Sequence, residues 1–221
     1  MNAHRKTSLA AGIFYLLTFV SIPTISLYSS VRGPGFITGN APDGPVFIGI
    51  ILEMIVALTG IGTAVALYPV LKRQNEGVAM GFVGSRVLEA ATIYSGIVSL
   101  LSIVSLRQAG TGTIEVGQAL VAQYNSTFLF GQSLLPAVNA VLLGYLMYRS
   151  RLIPRVLPVL GFIGAVMLVA SWACTLLGYI PQVSPQAGLM AAPIALWEFS
   201  LGLYLVIKGF KYSAILGSKN L

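Results

Sequence analysis

Six apolar runs, each longer than the roughly 18 residues that read as a membrane span, dictate what this chain can become. They fall at 8–29, 46–71, 77–104, 126–148, 156–178 and 190–208. Inside a bilayer no water pairs with backbone N–H and C=O groups, so such runs fold as helices that satisfy their own backbone. The rest of the chain offers no alternative. Only 9% of its 221 residues are charged, against roughly 25% in an ordinary soluble domain, and its mean hydropathy is +0.86. The sequence predicts an all-α polytopic membrane protein, a six-transmembrane-helix bundle forming one integral membrane domain over residues 1–221.

The few charges outside the runs set an orientation. Arg5, Lys6, Lys72, Arg73, Arg149, Arg151, Arg155, Lys208, Lys211 and Lys219 fall on one side, and only Arg32 and Arg107 on the other. By the positive-inside rule both termini are expected in the cytoplasm, with the protein multi-pass in the plasma membrane. The same distribution removes nucleic acid as a partner: the net charge of +7 is a topology signal. Membrane lipids are the expected surroundings. The first run follows His4, Arg5 and Lys6, like a signal peptide, but is longer than a typical signal core and lacks a small-x-small cleavage pattern. It is read as a retained helix.

The connections are mostly turn chemistry. Residues 30–45 are rich in Gly and Pro. Residues 113–124 read as a short amphipathic helix capped by Thr113, with Glu115 in its first turn and Val116, Leu120, Val121 and Tyr124 resting on the membrane interface. Asn125-Ser126-Thr127 matches a glycosylation sequon, but it abuts a span and is read as coincidence. Cys174 is the single cysteine and His4 the single histidine, so no disulfide, cysteine metal cluster or intramembrane histidine chemistry is expected, and no metal or cofactor. The tryptophans, Trp172 and Trp197, and the tyrosines read as packing or interface residues. Pro23, Pro69, Pro136, Pro158 and Pro193 read as tolerated kinks.

Four charges lie within the apolar runs: Glu53, Arg86, Glu89 and Glu198. Each costs about 2.5–3.5 kcal/mol at mid-helix on insertion scales. Helical spacing puts the acids on small-residue faces: Gly49, Glu53, Ala57 and Gly60; Ser85, Glu89, Thr92 and Gly96; Ala195, Glu198 and Gly202. Such faces mark helix contact rather than lipid, so the carboxylates are expected to point inward as one buried polar cluster. Arg86 is three residues before Glu89, within i,i+3 reach. Three ionised acids against one arginine would leave a charge of −2, so a proton, a cation or a wet cavity is expected to compensate. In the fourth run Gln132 and Asn139, seven residues apart, share a face with Pro136 between them and are read as interhelical glue or as cavity lining.

Val83-Gly84-Ser85-Arg86-Val87-Leu88-Glu89-Ala90-Ala91, Leu143 to Ser150 with Ile153-Pro154-Arg155, and Trp197-Glu198 leading to Ile207-Lys208-Gly209 resemble the bacterial membrane family described as domain of unknown function 4386. The order of all three carries the likeness over nearly the whole chain. It implies a six-helix prokaryotic membrane protein and supplies no activity, substrate or catalytic residues.

Three functions stay open on the sequence. The first is a small-solute or proton-linked transport or binding protein, with the acids as a relay or a cation site; three spans followed by three give inverted halves, as in many transporters. The second is a non-catalytic membrane subunit, sensor or scaffold. The third is an intramembrane lipid-acting enzyme using a glutamate as acid or base. No nucleophile motif, phosphate-binding Gly loop or zinc-protease motif supports an enzyme.

Overall fold

The computed structural model describes residues 3–211, and every regular element among them is helical: α1 (Ala3–Leu17), a 3-10 turn (Thr18–Ser21), α2 (Thr24–Leu27), α3 (Gly44–Leu71), α4 (Glu76–Gln108), α5 (Ile114–Gly131), α6 (Leu135–Ser150), α7 (Val156–Leu176) and α8 (Pro185–Ile207). Six segments are long and apolar enough to cross a membrane: Ala3–Leu27, Gly44–Leu71, Glu76–Gln108, Ile114–Ser150, Val156–Leu176 and Pro185–Ile207. Lys219, part of the charge asymmetry, lies outside the described residues.

The spans close into a ring in chain order. The first packs on α3, α3 on α4, α4 on α5 and α6, α6 on α7, α7 on α8, and α8 back on α1. Glycines set the tightest crossings. A Cβ on Gly12 of α1 would fall 2.7 Å from the Gly202 carbonyl oxygen of α8. One on Gly164 of α7 would fall 2.6 Å from the Ile194 backbone nitrogen of α8. Only residues without a side chain let membrane helices come this close, and dispersion rather than water exclusion then holds them. Local chemistry fixes the ends. Asn75, Thr113 and Ser184 accept hydrogen bonds from the N–H groups of Val78, Val116 and Ala187 at the starts of α4, α5 and α8. The Arg5 guanidinium donates to the Leu205 and Val206 carbonyls at the C-terminal end of α8, where the helix dipole favours a cation.

Two spans are not the single helices the apolar runs suggest. The first breaks at the 3-10 turn Thr18–Ser21 and at Pro23 before α2 resumes. The fourth breaks between Gly131 and Leu135. The expected interfacial helix at 113–124 starts at the Thr113 cap but does not stop: α5 runs on to Gly131 and forms the outer part of the fourth span. Tyr124 is not at the interface either; it is 1% exposed. The cause is Gly96 of α4, whose missing Cβ leaves room for the Tyr124 ring and for Thr127. With that contact available, α5 packs onto α4 instead of lying flat on the bilayer.

The loop between the first two spans is folded down rather than loose, with Val31, Phe36 and Ile37 buried. Arg107 at the end of α4 stacks over Phe36 at 4.2 Å, donates to the Ala41 carbonyl and pairs with Asp43. Gln108 donates to the other Asp43 oxygen at 3.0 Å. Desolvation pushes the Asp43 carboxyl upward, but the Gln108 and Arg107 hydrogen bonds and the guanidinium charge outweigh it and hold the group below its ordinary value of 3.8. A depressed carboxyl stabilises the folded loop above its unfolded-state value, and that contribution disappears as pH falls through the lower folded value. Limited proteolysis of the 30–45 loop should therefore accelerate on acidification. Asp43→Asn should be faster at neutral pH and lose that acid dependence, at a cost of under about 1 kcal/mol.

Candidate functional site

The interior of the ring holds a cleft of about 230 Å³ to which all six spans contribute, among them Phe19, Gly60, Arg86 with Glu89, Gln132, Leu168 and Glu198. Both helix breaks lie against it: Thr18 and Ile22 of the first and Gln132 and Pro136 of the second are part of its wall. Irregular backbone at membrane depth is tolerated where it is buried in protein or lines a cavity. A second cleft of about 210 Å³ shares Gln132, Leu168 and Ala191 with the first. It continues past Trp172 to Arg32, Gln182 and Ser184, in or beside the loops at the end opposite Ala3 and Ile207.

Arg86 is the hub of the polar groups. Its Nη1 donates to Glu89 Oε2 at 2.9 Å and its Nη2 to Glu198 Oε1 at 2.9 Å. The same Nη2 donates to the Tyr15 hydroxyl at 3.3 Å, and the guanidinium faces the Tyr15 and Phe82 rings at 5.4 and 5.8 Å. Asn139 Nδ2 donates to Glu89 Oε2 at 2.7 Å. One cation is thus tied to two carboxylates from different helices, which with both acids ionised leaves one negative charge. Side-chain exposure is 3% for Arg86, 10% for Glu89 and 17% for Glu198, so Glu198 is the most accessible of the three residues, all of which line the cleft.

Glu53 stands apart. It makes no ion pair with Arg86; its Oε1 accepts from the Tyr124 hydroxyl at 2.8 Å and from Gln132 Nε2 at 3.4 Å. Its Oε2 makes no close hydrogen bond although the residue is 1% exposed, and the Tyr28 hydroxyl also interacts with the carboxyl group. The single four-charge cluster expected from the sequence is therefore two groups: Arg86, Glu89 and Glu198 with Tyr15 and Asn139, and Glu53 with Tyr124 and Gln132. The shared face expected for Gln132 and Asn139 is also lost. The break after Gly131 separates them, and each amide serves a different carboxylate. Gln132 joins the two groups, since it both bonds Glu53 and lines the cleft.

Tyr15 and Tyr124 were missed as site residues because their partners are distant in sequence: each sits 71 positions from the charge it meets. Among the described residues no group of three His, Cys, Asp or Glu stands close enough to hold a metal ion. No curated protein and no solved structure matches the chain. Residues 10–209 match the family described as Domain of unknown function (DUF4386), and the chain belongs to that family.

Proposed function

We propose that this membrane protein binds, and carries across the bilayer, a small cationic or proton-linked solute that enters through the cleft from the loop end and meets Glu198 beside Arg86. The observation that supports the reading most is the pairing of two broken spans with one polar cleft. The breaks fall in the first and the fourth spans, which occupy corresponding positions in two inverted three-helix halves. Interrupted spans at corresponding positions of two halves are a pointer to a substrate site in transporters. With both acids ionised the Arg86 group carries one excess negative charge, which favours a cation in the cleft. In this reading the protein sits in the plasma membrane, and its Lys and Arg distribution supports both termini lying in the cytoplasm.

The test uses protein reconstituted in liposomes carrying an internal pH dye, challenged with methylamine and guanidinium as small-cation probes. Glu198→Gln should fold and lose at least tenfold in flux, and Glu89→Gln should fold with a smaller loss. Undiminished flux in folded Glu198→Gln contradicts the proposal. Loss of the folded bundle in both variants contradicts it too, because the carboxylates would then serve only to hold the helices together.

A further inference from the structure

The connection between α6 and α7 carries Arg149, Arg151 and Arg155, all exposed. Topology alone accounts for basic residues at this end, but not for what lies next to them. On the surface of the same two helices is an apolar groove of about 610 Å³, lined by Val138, Val141 and Leu142 of α6 and Phe162, Val166 and Val169 of α7 among others. Val141 is 48% exposed and Val166 72%, so the groove opens outward, away from the polar cleft inside the ring.

The helical repeat connects groove and arginines. On α6, positions 138, 142, 145 and 149 fall on one face, at i, i+4, i+7 and i+11; from Arg155, the N-cap of α7, positions 159, 162 and 166 follow at the same spacing. The side chains bear this out. Arg149 stands over the Tyr145 ring at 5.8 Å and Arg155 over the Tyr148 ring at 4.7 Å. Tyr148 in turn meets Phe162, the groove residue, at 6.4 Å between ring centres. Gly144 has no Cβ, which lets the groove residue Phe162 settle against α6. From Arg149 to Val138 is eleven residues, or roughly 16 Å along the helix, about the depth of one hydrocarbon leaflet. No acidic residue occurs anywhere between 116 and 197, so nothing on α6 or α7 neutralises the basic end.

We infer that this stripe is a binding site for an anionic phospholipid, its phosphate held by Arg149 and Arg155 and its acyl chains in the α6–α7 groove. The arrangement gives the headgroup its countercharge, the glycerol region an aromatic layer and the chains a preformed slot. An ordinary zwitterionic lipid would fill the slot and gain little from the arginines.

The test is native mass spectrometry of the full chain, exchanged from nanodiscs containing phosphatidylcholine and phosphatidylglycerol in equal amounts. Wild type should retain phosphatidylglycerol preferentially. Arg149→Gln with Arg155→Gln should reduce that preference by about 25-fold, at about fivefold per arginine; Arg149→Lys with Arg155→Lys should keep most of it. Val141→Trp, which fills the groove without touching a charge, should reduce retention of both lipids. Equal retention of the two lipids by wild type, an unchanged preference in the double glutamine variant, or unchanged retention in Val141→Trp each overturns the site. Displacement of the lipid by inorganic phosphate alone would also overturn it, since the groove would then contribute nothing. None of these outcomes bears on solute flux through the ring.

Discussion

Arg86→Leu should be the most damaging single substitution in the described chain, costing about 3–5 kcal/mol and leaving little folded protein in detergent. Removing one partner of a buried ion pair strands the others, and here two partners are stranded at once: Glu89 and Glu198, each 2.9 Å from a guanidinium nitrogen. The damage should come from uncompensated charge rather than lost volume, which a second variant at the same site separates. Adding the near-isosteric Glu89→Gln and Glu198→Gln to Arg86→Leu removes the stranded charges without restoring the arginine's packing, and it should recover most of the lost stability. Thermal unfolding in mild detergent reads both. A triple variant no more stable than Arg86→Leu alone would show that the arginine acts through its packing between Tyr15 and Phe82 and not through its charge.

Gly131→Ala should cost less than Arg86→Leu but a great deal for the addition of one methyl group. A Cβ there would lie 2.0 Å from Thr92 Oγ1 and 2.8 Å from Thr92 Cβ, and α5 could relieve the overlap only by moving off α4. Overpacking of this kind costs about 1–3 kcal/mol. The consequence reaches the site, because Gly131 is the last residue before the break and its neighbour Gln132 bonds Glu53. Thr92→Ala in the same chain removes the colliding hydroxyl and should recover part of the loss, giving a favourable coupling in a double-mutant cycle on thermal stability. Additive effects would mean that the two residues do not meet.

How far the fold was legible follows from what each feature depends on. The six spans were visible because lipid imposes one requirement on every residue of a run, and that requirement leaves its mark in composition. The Arg86–Glu89 contact was visible because i,i+3 spacing is local. The Arg86–Glu198 bridge joins residues 112 positions apart, and no local pattern encodes it. Pro23 and Pro136 were apparent in the sequence as kinks. That both mark breaks facing one cleft depends on the ring, which brings the first and fourth spans to a common interior. The 113–124 segment misled because its Thr113 cap and the apolar Val116, Leu120, Val121 and Tyr124 have the local pattern of an interfacial helix. What overrode that signal was a glycine, Gly96, on a different helix.

The central claim is that the interior of the ring is wet while its outside is greasy, and adjacent residues of α8 separate the two. Ala195 lines the cleft, whereas Leu196, 56% exposed, faces outward where the bilayer would lie. In a background with Cys174→Ala, Ala195→Cys and Leu196→Cys should be reconstituted in vesicles with a charged, membrane-impermeant thiosulfonate present on both sides. Ala195→Cys should react readily and be slowed by methylamine, while Leu196→Cys stays inert. Reaction at 196 but not at 195, or at neither position, would contradict a water-filled cleft and with it the account of Arg86, Glu89 and Glu198 as a solute site.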